Sequence, residues 1–133
     1  MNYPNATKED YIKALLEVRN GSYFNNSKHP NNLLMLKAQC KAKNQIITAT
    51  QLAHIIGSDK YQVANLAYGT LAHHISDALG YTPDTRQSDN KPMWWMALSS
   101  GNEASEETID RHFEFVMHQG LKEALVEIKW CKT

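Results

Sequence analysis

Apolar positions recur at helical spacing in five stretches of this chain, while two runs near its carboxyl end have a β-prone pattern instead. The first helix is predicted to open at Thr7, where a hydroxyl and the Asp10 carboxylate three residues on make a capping box, and to bury Tyr11, Leu15 and Val18, with Ile12 and Leu16 adjacent. Asn20-Gly21-Ser22 stops it. Residues 23–32, with their Asn, Ser and Pro, read as a loop, and residues 33–43 as a second helix with Leu33, Leu36 and Cys40 on one side. Ile46-Ile47 is a short β-like step. Thr48 and Gln51 form a second capping box for a third helix that Gly57 ends, and a long fourth helix is predicted over 59–79, before Gly80.

Residues 51–66, Q-L-A-H-I-I-G-S-D-K-Y-Q-V-A-N-L, fit a helix-turn-helix. Ala53 is the small residue where the second helix crosses, Leu52 is its apolar neighbour and Ile56 closes the first helix. Gly57 allows a positive φ at the turn, and Val63 and Leu66 are the expected apolar anchors of the second helix. The same spacing also describes an ordinary two-helix corner in a small core.

Beyond the fourth helix, residues 81–92 read as a loop. Residues 93–98, M-W-W-M-A-L, are a predicted strand, with Trp94 and Trp95 on opposite faces, and residues 111–117 are its partner in a β-hairpin. In that partner Phe113, Phe115 and Met117 share one face, and His112, Glu114, Val116 and His118 the other. A last helix over 121–130 turns Leu121, Leu125 and Ile128 inward. The expected fold class is α+β, mainly helical. It is one domain over 1–133, helix-turn-helix or winged-helix-like, with a C-terminal β-hairpin and a closing helix.

At 133 residues the chain can bury a core without disulfides or metal. No apolar run approaches the roughly 20 residues that cross a bilayer. The polar start Met1-Asn2-Tyr3-Pro4-Asn5 lacks the layout of a signal peptide, so the expectation is a cytoplasmic protein with no membrane partner. Cys40 and Cys131 lack C-x-x-C spacing and read as free thiols. Net charge is zero, but its distribution is uneven. No acidic residue lies between Glu17 and Asp59, where Arg19, Lys28, Lys37, Lys41 and Lys43 fall, whereas acids outnumber bases from Asp77 to Glu127. A neutral protein arranged this way can still turn a positive face to phosphates. The lysines are equally well placed as the solvated face of a helix.

On the helix-turn-helix reading the outward positions of the second helix are Asp59, Lys60, Tyr61, Ala64, Asn65 and Tyr68, with Gln62 at the margin. Asn and Gln pair bidentately with adenine, Lys reaches guanine or phosphate, and Tyr bonds phosphate or packs on thymine methyls. Phosphate contacts then fall to Thr50, Gln51, Lys37, Lys41 and Lys43, with Asp59 serving as a helix cap. For Tyr68, burial is an equal alternative. An exposed indole of Trp94 or Trp95 could stack on an unpaired base, and sandwiching of both inside the domain is the commoner arrangement. His73-His74 and the pair His112 and His118 are poorly spaced for one ion, so neither metal nor cofactor is expected. No phosphate loop, dinucleotide fingerprint, nucleophile elbow or H-E-x-x-H motif occurs, and the domain is read as noncatalytic.

Residues 47–53, I-T-A-T-Q-L-A, and 61–71, Y-Q-V-A-N-L-A-Y-G-T-L, resemble a small bacterial module that often precedes the HNH nuclease domain of McrA-like, modification-dependent restriction endonucleases. Phe115-Val116-Met117 with Leu121, Glu123, Ala124, Leu125 and Trp130 resembles that module's terminal strand and helix. The resemblance implies a DNA-recognition domain of a bacterial or phage defence system whose nuclease, a possible partner, lies elsewhere, because these residues lack the His-Asn-His constellation. The alternative is a protein-interaction module or phage inhibitor acting through the acidic surface of 103–110.

Overall fold

The computed structural model describes residues 2–21 and 32–132. Among these are five α-helices: α1 (Lys8–Asn20), α2 (Asn32–Lys41), α3 (Ala49–Ile55), α4 (Tyr61–Leu79) and α5 (Gln119–Glu127). Three short strands accompany them: β1 (Ile46–Thr48), β2 (Ser99–Asn102) and β3 (Glu114–Met117). The loop expected over 23–32 lies outside the described residues except for Asn32, which begins α2.

Local chemistry sets the helix ends. Thr7 Oγ1 accepts from the Asp10 amide at 3.2 Å while Asp10 Oδ2 accepts from the Thr7 amide at 2.9 Å. Thr48 and Gln51 repeat that reciprocal pair at the start of α3, at 3.2 and 3.0 Å. Each box satisfies two amides that a helix start otherwise leaves without a partner. At the far end of α3, Gly57 takes φ 80°, and the Ser58 amide returns to the Ala53 carbonyl at 2.8 Å, turning the chain toward α4. Asp59 does not cap α4. Lys60 holds the cap position without a side-chain bond, and its amide donates to Ser58 Oγ at 3.1 Å. Gly80, at φ 70°, ends α4 as its position predicts.

The sheet is antiparallel with β3 central, in the order β1-β3-β2. Ile46 pairs with Val116 and Thr48 with Glu114 on one side, and Ser99 pairs with Met117 and Asn102 with Glu114 on the other. The hairpin exists, but its first strand is five residues or so later than expected. Residues Trp94–Ala97 form a 3-10 turn instead of a strand, so Trp94 and Trp95 do not face opposite sides of a sheet. Amides of Met96 and Leu98 close it locally on the carbonyls of Met93 and Trp95, and the Tyr11 hydroxyl donates to the Ala97 carbonyl at 2.7 Å.

Side chains from all five helices, β1, β3 and the Trp94–Ala97 turn meet in a shared apolar core. The inner face of α4 is Ala64, Tyr68, Leu71, Ala72, Ile75 and Ser76. This corrects the expected register of the helix. Val63 and Leu66, expected as anchors, are 46% and 74% exposed, whereas Ala64, expected to face outward, and Tyr68, placed outward with burial as an equal alternative, are completely covered. The helix is rotated so that Tyr68 packs against Phe115, with ring centroids 4.8 Å apart.

Candidate nucleic-acid interface and adjoining cleft

Two surfaces meet along the first turns of α4. The outer one carries Lys60, Tyr61, Gln62, Val63, Asn65 and Leu66, all exposed. The inner one is a cleft of about 1050 Å³ between α4, the Trp94–Ala97 turn and the β2–β3 hairpin, lined by Tyr61, Asn65, Trp94, Trp95, Phe113 and Lys91 among others. Tyr61, Asn65 and Leu66 belong to both.

The cleft wall is built by aromatic packing. His73 stacks flat on Trp94 with centroids 3.7 Å apart and planes 9° from parallel, and its Nε2 stands 3.7 Å from Asp77 Oδ2. Trp95 sets its edge against Phe113 and Phe115 at 5.5 and 5.7 Å. Gly101 makes this possible, since a Cβ there would stand 2.3 Å from the Phe113 ring.

Behind the wall, Tyr68, Gln39 and Ser99 form a closed polar ring. The Tyr68 hydroxyl donates to Gln39 Oε1 at 2.6 Å, Gln39 Nε2 donates to Ser99 Oγ at 2.9 Å, and Ser99 Oγ lies 2.7 Å from the Tyr68 oxygen. Burial pushes the Tyr68 hydroxyl well above the ordinary tyrosine range, so it stays a neutral donor. Tyr68, placed among the DNA contacts with burial as an equal alternative, is a fully covered core residue that borders the floor of the cleft. Its ring can support the cleft only from beneath.

The remaining predicted residues divide among three places. Lys60, Tyr61, Gln62 and Asn65 share the exposed face of α4, and Thr50, half-buried, lines the cleft with Tyr61 and Asn65. Gln51 and Lys43 border a second, smaller groove of about 350 Å³ together with Ile46, Ile55 and Ile109. Gln51 Oε1 is engaged by the Thr48 amide, leaving its amino group to the surface. Lys37 and Lys41 lie on α2 and line neither concavity.

The β2–β3 connection carries Glu103, Glu106, Glu107 and Asp110 against Arg111, all exposed. Its base is tied by Glu114, buried on β3, whose carboxylate accepts from Asn102 Nδ2 at 2.9 Å and from the Ile109 amide at 2.8 Å. The histidines serve separate ends. His118 donates from Nε2 to the Met96 carbonyl at 2.8 Å, and burial lowers its pKa against the opposing pull of that bond. Cys40 and Cys131 are buried free thiols, and burial first, the neighbouring Cys131 thiol second, push Cys40 up to about 12. A thiol held so high is a poor nucleophile. Among the described residues no cluster of three or more His, Cys, Asp or Glu side chains is gathered to hold a metal ion, and no helix is long and apolar enough to cross a membrane.

Sequence reasoning missed the cleft as a unit. Its signal was the pairing of Trp94-Trp95 with Phe113, residues read instead as two facing strands. Comparisons with family models, with curated proteins and with solved structures return no match to this chain.

Proposed function

We propose that this chain is a noncatalytic DNA-binding domain that reads duplex DNA through a helix-turn-helix formed by α3 and α4. One observation carries the reading. Lys60, Tyr61, Gln62 and Asn65 project into solvent from the first turns of a helix whose approach is fixed by the Thr48 capping box and the Gly57 turn. These are amide, amine and phenol groups of the kind that bond base edges and phosphates in the major groove. The order β1-β3-β2, with β1 placed between α2 and α3, supports a winged-helix-like arrangement in which the β2–β3 connection is the wing. On this reading, any cutting in a defence system falls to a partner nuclease.

A mobility-shift titration of mixed-sequence duplex at two salt concentrations tests it. Affinity is expected to fall at least about tenfold between about 50 and about 200 mM salt. The double variant Lys60→Ala, Gln62→Ala should lose binding while its far-UV circular dichroism is unchanged. Absence of a shift at micromolar protein and low salt rejects the reading.

The acidic β2–β3 connection favours a second one. Four carboxylates against one arginine repel a phosphate backbone and suit a basic protein surface, as in an adaptor or inhibitor. Loss of a protein partner on charge reversal of Glu106 and Glu107, with no duplex binding at any salt, would select it.

A further inference from the structure

The cleft beside α4 combines three kinds of group whose joint preference is narrow. Its walls are aromatic, and its volume of about 1050 Å³ is at the top of the range of about 300–1,000 Å³ common for small-ligand sites. Its rim carries two cations, Arg86 and Lys91, against a single carboxylate, Glu103. Arg86 Nε stands 3.7 Å from Asp89 Oδ1, a loose exposed pair, and among the described residues Lys91 Nζ has no carboxylate within ion-pair distance. A cationic guest, which aromatic walls alone would also accept, meets repulsion at this rim. A planar ring attached to an anion fits all three features: the ring stacks on the walls, the Asn65 amide meets its polar edge, and the anion lies at Arg86 and Lys91.

Position narrows the guest further. Because Tyr61 and Asn65 face both the exposed side of α4 and the cleft, DNA laid along α4 brings its nearest strand across the cleft mouth. We infer that the cleft receives one unstacked nucleobase of that DNA, held among Tyr61, Trp94, Trp95 and Phe113, with its phosphate at Arg86 and Lys91. This rests on the duplex-reading function above and adds its substrate class, DNA in which one base is free to leave the stack. Such a base comes from a mispaired duplex or from a single strand. Extrusion is least costly where pairing is already lost, so a mispair is expected to be favoured over a matched pair.

The full chain, titrated by fluorescence anisotropy and tryptophan emission with four labelled oligonucleotides, tests this. The probes are a matched duplex, the same duplex with one central mispair, the same duplex with that base removed to leave an abasic site, and the corresponding single strand. The mispaired duplex should bind about tenfold tighter than the matched one and quench tryptophan emission. The abasic duplex should show neither effect, which separates base insertion from mere flexibility of the duplex. Lys91→Ala and Arg86→Ala, both at exposed positions, should each cut the mispair preference severalfold. Quenching by the single strand as well as the mispair identifies any unpaired base as the guest, whereas quenching by the mispair alone identifies a base drawn from a duplex on α4. Equal affinity for matched, mispaired and abasic duplexes without quenching overturns the inference and leaves the duplex reading standing. Failure to bind any of the four probes at low salt overturns both.

Discussion

The two halves of α4 both carry apolar residues and have opposite fates. From Tyr68 to Ser76 one face of the helix packs against β3, the Trp94–Ala97 turn and α1, with Tyr68, Leu71, Ala72 and Ile75 fully covered. From Tyr61 to Leu66 only Ala64 is covered, and Leu66 keeps 74% of its surface in water. The contrast separates two tasks along one rod. Burial of the far half fixes the helix in place, so the exposed side chains of the near half contribute little to stability and stay open to solvent.

Paired truncations are the most direct way to break that comparison. Leu71→Ala should cost about 2–5 kcal/mol, the range for deleting a covered leucine, while Leu66→Ala should stay within about 0.5 kcal/mol. Urea denaturation midpoints measure both, and similar losses at the two sites would mean that the halves are not energetically distinct. Next in size is Tyr68→Phe, which leaves Gln39 Oε1 and Ser99 in a buried site without the hydroxyl that closes their ring. About 1–3 kcal/mol is expected, with no change in duplex affinity, because the hydroxyl is out of reach of DNA. A loss of affinity without a loss of stability would return Tyr68 to the interface.

The smallest effect concerns the backing of the buried half. His118 holds the Met96 carbonyl in the turn that packs along α4, and burial favours its neutral form in the folded state. Its contribution is therefore complete above the ordinary histidine pKa of about 6.5 and is lost as pH falls from there through the lower folded value. Stability measured across that window should decline more steeply for the native chain than for His118→Gln. Identical slopes would exclude His118 as the source.

Elements closed by neighbours in sequence were legible in advance. Both capping boxes, the stop at Gly57 and the stop at Gly80 are settled within a few residues, and the structure has each of them. The rotation of α4 was not legible, because Val63 with Leu66 and Ala64 with Tyr68 satisfy helical spacing equally well. Their contest is decided by Phe115, Gln39 and Ser99, which lie 29 or more residues away from Tyr68 in sequence. The run Met93-Trp94-Trp95-Met96 has strong β preference, yet a local turn takes it, with its indoles drawn to His73, Phe113 and Phe115. The exposure of Lys60, Tyr61, Gln62 and Asn65 was thus readable. The cleft was hidden because its walls come from segments that only tertiary packing brings together.

Glu114 has a consequence for how this molecule tolerates change. By gripping both Asn102 and Ile109, its carboxylate clamps the neck of the acidic connection, so residues between those two points are mechanically insulated from the sheet. Insertions or a protease nick at the tip should leave β2 and β3 in register, which makes this segment the natural place to graft a tag or exchange a specificity element.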